Sequence, residues 1–97
     1  MTETQLKQNV LTMIHKEFAS FVWVYKPHDQ FTSGIPDLLM SVNGRFLAVE
    51  LKRDERSDAT KLQDWTLMQI RQAGGEAHVS RSVGEVREII TRILRAR

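Results

Sequence analysis

Apolar positions recur at helical spacing near both ends of the chain and alternate along its middle. Leu6, Val10, Met13, Ile14 and Phe18 follow Thr2 and Gln5, which stand at capping-box spacing, so residues 3–19 read as an amphipathic helix with Glu3 on the side of Val10 and Ile14. The β-branched and aromatic run FVWVYK (21–26) reads as a strand stopped by Pro27, and HDQFTSGIP (28–36) as a loop. Asn43-Gly44 is the strongest short hairpin signal, dividing the strand DLLMSV (37–42) from RFLAVELK (45–52). After the polar connection RDERSDAT (53–60), a helix runs from about Thr60 to Ala73 and stops at Gly74-Gly75. Its Gln63 lies in line with Leu67 and Ile70. EAHVSR (76–81) reads as a last short strand, and Ser82 with Glu85 forms a second capping box before the helix carrying Val86, Ile89, Ile90, Ile93 and Leu94.

A two-residue turn at Asn43-Gly44 pairs Val42 with Arg45, and counting outward brings Asp37 opposite Glu50. Alternation then puts Leu38, Met40, Val42, Leu47, Val49 and Leu51 on one face, and Leu39, Phe46 and Ala48 on the other together with Asp37, Glu50 and Lys52. Two apolar faces belong to a sheet covered by helices, with the polar end opening on a cleft. The fold class is therefore α/β in the order αβββαβα, a mixed four-stranded sheet flanked by helices whose fourth strand runs parallel to a neighbour. Trp23 and Trp65 are expected in the core.

Length and composition narrow the classes. At 97 residues the chain is expected to be one domain, 1–97, with little core to spare. It has no cysteine, which removes disulfides, thiolate nucleophiles and Cys-type zinc sites. No apolar run approaches the roughly 20 residues that span a bilayer, and the N-terminus lacks the pattern of a signal peptide. The chain thus reads as cytoplasmic, without a membrane partner. A formal charge of +2 leans only mildly toward an anionic partner, so a polyanion would need a localised patch or a metal.

The hairpin supplies that locality. Carboxylates directly opposite each other destabilise a ladder, but with Cβ atoms about 4.5–5.5 Å apart they can share one hard divalent cation. Lys52 projects from the same face as Glu50, about 6–7 Å along the strand, and can neutralise charge developing on a phosphate or hold an attacking water. The plainer alternative is a salt-bridge cluster at a strand end, in a non-catalytic DNA-binding or assembly module.

Gly34-Ile35-Pro36-Asp37, twelve intervening residues, then Glu50-Leu51-Lys52 resembles the PD-(D/E)xK nuclease motif, and with Glu3, Gln63 and Trp65 the pattern resembles the VRR-NUC family within that superfamily. The resemblance implies a restriction-endonuclease-like core and a metal-dependent DNA endonuclease. Asp37, Glu50 and the main-chain carbonyl of Leu51 would bind Mg²⁺ or Mn²⁺, Lys52 would match the catalytic lysine, Gln63 the residue steadying it or the water, and Glu3 an acidic first-helix ligand. Stand-alone bacterial and phage members, similar to Holliday-junction resolvases, act as homodimers on branched DNA, which implies a homodimer in a bacterial cell or phage-infected host cutting junctions or flaps. Lys26, His28, Arg53, Arg56 and Lys61 are candidate phosphate contacts. The histidines at 15, 28 and 78 have no metal-binding spacing.

Overall fold

A computed structural model describes residues 1–28, 34–54, 56 and 58–96. The elements are α1 (Glu3–Phe18), β1 (Val22–Tyr25), β2 (Leu38–Val42), β3 (Arg45–Leu51), α2 (Lys61–Gln72), β4 (Glu76–Ser80) and α3 (Val83–Arg95), in the expected order. Within the loop 28–36 and the connection 53–60, residues 29–33, 55 and 57 lie outside the described residues.

Local chemistry starts each helix. At α1, Thr2 Oγ1 accepts from the Gln5 N–H at 3.0 Å while Gln5 Oε1 accepts from the Thr2 N–H at 2.9 Å, so two otherwise orphaned donors are satisfied reciprocally. Thr60 and Gln63 form the same box at α2, which the hydrophobic pattern alone did not reveal. The box expected at α3 is only half formed. Ser82 Oγ accepts from the Glu85 N–H, but the Glu85 carboxylate accepts from the Arg81 N–H instead of from the cap.

Asn43 (φ 49°) and Gly44 (φ 91°) are both left-handed, as a type I′ turn requires. The register follows: Val42 pairs with Arg45, Met40 with Leu47 and Leu38 with Val49. β1 joins β2 antiparallel, and β4 joins β3 parallel after the α2 crossover, giving the order β1-β2-β3-β4.

The main core lies on one side of this sheet. Leu38, Met40, Val42, Leu47, Val49 and Leu51 pack there against Leu6, Val10, Met13 and Ile14 of α1 and Val86, Ile90 and Ile93 of α3. Fully burying each such side chain is worth about 1.5–3 kcal/mol. On the other side Ala48 and Ala77 meet Leu67 of α2, with Leu39, Ile70 and Val79 at the margin. Arg71 ties α2 to β4, its Nε and Nη2 donating to the Ala77 carbonyl.

That second layer is narrower than the alternation implies. α2 packs mainly on β3 and β4, reaches Leu39 of β2 only at its margin, and leaves the β1 end of the face exposed. Trp23 is consequently 67% exposed, stacked in parallel on Tyr25, and Trp65 on the outward side of α2 is 52% exposed. Neither tryptophan is a core residue. Among the described residues no helix is long and apolar enough to cross a membrane.

Candidate active site

Asp37 and Glu50 meet where β2 begins and β3 ends. Gly34 has φ +86°, and a Cβ on it would lie 2.7 Å from Leu62 Cγ and 3.0 Å from the Leu62 carbonyl, so only glycine lets this loop press against the first turn of α2. Pro36 behind it is buried. The Gly-Ile-Pro-Asp run thus has a packing role that aims Asp37 toward β3.

The two carboxylates are braced crosswise by backbone. The Asp37 N–H donates to Glu50 Oε1 at 3.2 Å, and the Leu51 N–H donates to Asp37 Oδ2 at 2.8 Å. Each acid accepts from the other acid's strand, which is how two like charges are tolerated at one strand end. The Leu51 N–H points at Asp37, and on an extended strand the carbonyl of the same residue leaves on the same side.

Glu50 is 3% exposed, and the remaining groups converge on it. Gln63 Nε2 donates to Glu50 Oε2 at 2.8 Å, and Lys52 Nζ lies 3.3 Å from the same oxygen. Gln63 has a double task, since its Oε1 caps the Thr60 N–H at 2.8 Å; the amide is oriented by the helix start and then presented to the acid. Burial, and secondly the charge of Asp37, push the Glu50 carboxyl up to about 7, against the opposing pull of Lys52. Two like charges therefore sit side by side in a poorly solvated place. Two carboxylates so placed, with a main-chain carbonyl beside them, fit a hard divalent cation, since Mg²⁺ takes one or two carboxylates and keeps several waters.

A group that the sequence reading did not select joins the pair. Lys7 of α1 brings its ammonium to 3.5 Å from Asp37 Oδ1. The signal was present, because Lys7 follows Glu3 at i+4 on the helix side that also carries Val10 and Ile14. Glu3 itself is exposed, and among the described residues no group of three or more His, Asp or Glu comes together to hold a metal. Asp37, Glu50, Lys52 and Gln63 are thus assembled, and Glu3 is not brought to them.

The outlying candidates are dispersed around this centre. Arg53 is exposed and paired with Asp54, and the Arg56 N–H donates to the Asp54 carboxylate. Arg81 binds the Asp54 carbonyl and the Asp58 carboxylate, tying this connection to the end of β4. Lys61 opens α2 and is exposed; Lys26 is half-buried and His28 exposed just after β1. His78 is paired with Glu76 at 3.0 Å on the side of the sheet remote from Glu50.

No protein-family model matches the sequence, and no curated protein matches it. Solved structures do. A structure described as a VRR-NUC domain superposes with a TM-score of 0.69 at 27% identity, covering 87% of this chain and 92% of the other. A second, described as a VRR-NUC domain protein, gives 0.78 at 22% identity over 94% of this chain and 86% of its own. The order of elements, the mixed sheet and these likenesses show that this chain has the fold of VRR-NUC domains, a restriction-endonuclease-like α/β core.

Proposed function

We propose that the protein is a Mg²⁺- or Mn²⁺-dependent endonuclease that hydrolyses phosphodiester bonds in DNA. The observation carrying this reading is the convergence of Asp37, Glu50, Lys52 and Gln63 at the adjoining ends of β2 and β3 on a nuclease fold. Asp37, Glu50 and the Leu51 carbonyl would hold the ion, which when bound supplies Lewis-acid polarisation of the phosphate and an acidified water. Gln63 fixes the Glu50 carboxylate from behind. Lys52, released from Glu50 Oε2, has the reach to hold the attacking water or to neutralise an equatorial phosphate oxygen.

One feature favours a second reading, a DNA-binding module without chemistry: every oxygen of the two carboxylates already has a protein partner. The two readings separate on incubating labelled single-stranded, duplex, flap and four-way-junction DNA with the protein in Mg²⁺, Mn²⁺ or EDTA, beside Asp37→Asn. Metal-dependent cleavage lost in the variant is the expected result. Equal binding in Mg²⁺ and EDTA with no cleavage of any substrate would instead identify the binding module.

Branched DNA is the proposed preferred substrate and a homodimer the proposed active form, as the family resemblance implies. The exposed aromatic surface made by Trp23 and Tyr25 of β1 and Phe46 of β3 supports dimerisation, because contiguous exposed apolar surface marks an interaction site.

A further inference from the structure

Lys7 stands one turn beyond Glu3, in the order and spacing that favour a helical Glu–Lys pair, yet its ammonium goes to Asp37 and makes no ion pair with Glu3. Its side chain is about one-third exposed. It therefore faces the acid on one side and the approach from solvent on the other. Two-metal nuclease sites hold their ions about 3.5–4 Å apart and need enough carboxylates to bind both. Here no third acidic or histidine side chain among the described residues joins Asp37 and Glu50, and an ammonium already occupies the Asp37 oxygen turned away from Leu51.

Charge leads to the same place. Asp37 and Glu50 are matched by Lys7 and Lys52, so the unloaded cluster is neutral with both acids ionised. One divalent ion gives it two surplus positive charges. A phosphodiester brings one negative charge and develops a second as the nucleophile adds, so a single ion suffices for balance.

We propose that the site takes a single divalent cation and that Lys7 stands in place of a second metal ion, leaving Asp37 when the metal arrives to contact a non-bridging oxygen of the DNA phosphate. This inference rests on the nuclease reading and adds to it a residue and a stoichiometry. A lysine suits the role, being a compact charge on a flexible stem with three donors.

The test combines Mn²⁺ titration by calorimetry and electron paramagnetic resonance with DNA binding in Ca²⁺ over a range of salt, on the native chain, Lys7→Met and Lys7→Arg. All three residues are good helix formers, so α1 should persist. The native chain is expected to bind one Mn²⁺ without the spectrum of a coupled pair. Lys7→Met should bind Mn²⁺ at least as tightly, having lost a competing cation, while its plot of log affinity for DNA against log salt becomes shallower by about 0.7–0.9, the value of one phosphate contact. Lys7→Arg should restore the slope. Two Mn²⁺ per native chain, or an unchanged slope in Lys7→Met, overturns the inference and leaves the nuclease reading standing. A native chain that binds no Mn²⁺ and cuts nothing overturns both.

Discussion

Glu50 concentrates the energetic tension of the site. Its carboxyl is raised to about 7, first by burial and then by Asp37. In metal-free protein the folded state then holds this proton more tightly than the unfolded chain does, so the stabilisation is complete below the ordinary carboxylate range and is lost as pH rises through about 7. A shift of this size corresponds to on the order of 3 kcal/mol. Melting in EDTA should therefore fall from about pH 5 to about pH 8, and Mg²⁺ or Mn²⁺ should restore it at the upper end. Glu50→Gln should flatten that dependence and abolish cleavage while DNA binding in Ca²⁺ survives. Glu76, held down to about 2 by Arg92 and then by His78, titrates well below the window and does not confuse the measurement. A native melting temperature independent of pH in EDTA would contradict this account.

Gln63 offers a cleaner dissection, since its two amide atoms serve two masters. Thr60→Ala removes the hydroxyl half of the cap and should cost about 1 kcal/mol with little effect on turnover, because Gln63 Nε2 can still hold Glu50. Gln63→Ala should cost a similar amount in stability and in addition lower metal affinity or cleavage roughly 10–100-fold, as the loss of an outer partner of a metal ligand usually does. Equal turnover in the two variants would reduce Gln63 to a helix cap.

The hairpin and α2 are coupled through the glycine that precedes Asp37. Gly34→Ala places a Cβ 2.7 Å from Leu62 Cγ at a φ of +86°, whereas Gly44→Ala meets nothing within 4 Å and has only its φ of +91° to accommodate. Left-handed geometry costs a non-glycine residue about 1–2 kcal/mol. Both substitutions should lower the melting temperature, and Gly34→Ala should lower it further and also weaken Mn²⁺ binding, because the loop that aims Asp37 must shift. Matching Mn²⁺ affinities in the two would show that Asp37 is positioned by its strand alone. The turn was legible beforehand because Asn-Gly states its own backbone geometry. The Gly34 contact was not, since Leu62 lies 28 positions further along the chain.

On the molecule as a whole, most of the large exposed apolar side chains among the described residues, Met1 and Phe21 apart, are gathered rather than scattered. Trp23, Tyr25 and Phe46 on the sheet and Leu62, Trp65 and Met68 on α2 all belong to the side that α2 only half covers. A stable dimer buries about 800 Å² on each partner. If this side supplies it, light scattering should give twice the chain mass for the native protein and the monomer mass for a Trp23→Asp, Trp65→Asp double variant. Cleavage of junctions should fall more in that variant than cleavage of linear DNA, because each site remains whole while their spacing is lost. A native monomer at assay concentration would remove this explanation of branch selection.

Which residues form the elements was readable along the chain, because caps, turn chemistry and the periods of two and 3.6 act over a few positions. The same short range carried Asp37 to Glu50, since a two-residue turn fixes every pair of a hairpin. What needed the folded structure was how far each layer extends and what arrives from elsewhere. Periodicity says that a face is apolar but not that a neighbour is wide enough to cover it, so the pattern puts both tryptophans inside whereas they lie outside. The ammonium of Lys7 reaches Asp37 only because α1 packs across the opposite side of the sheet from α2, close to the strand ends. That meeting depends on the docking of a helix 30 residues away in sequence, which the spacing of Lys7 from Glu3 does not by itself specify.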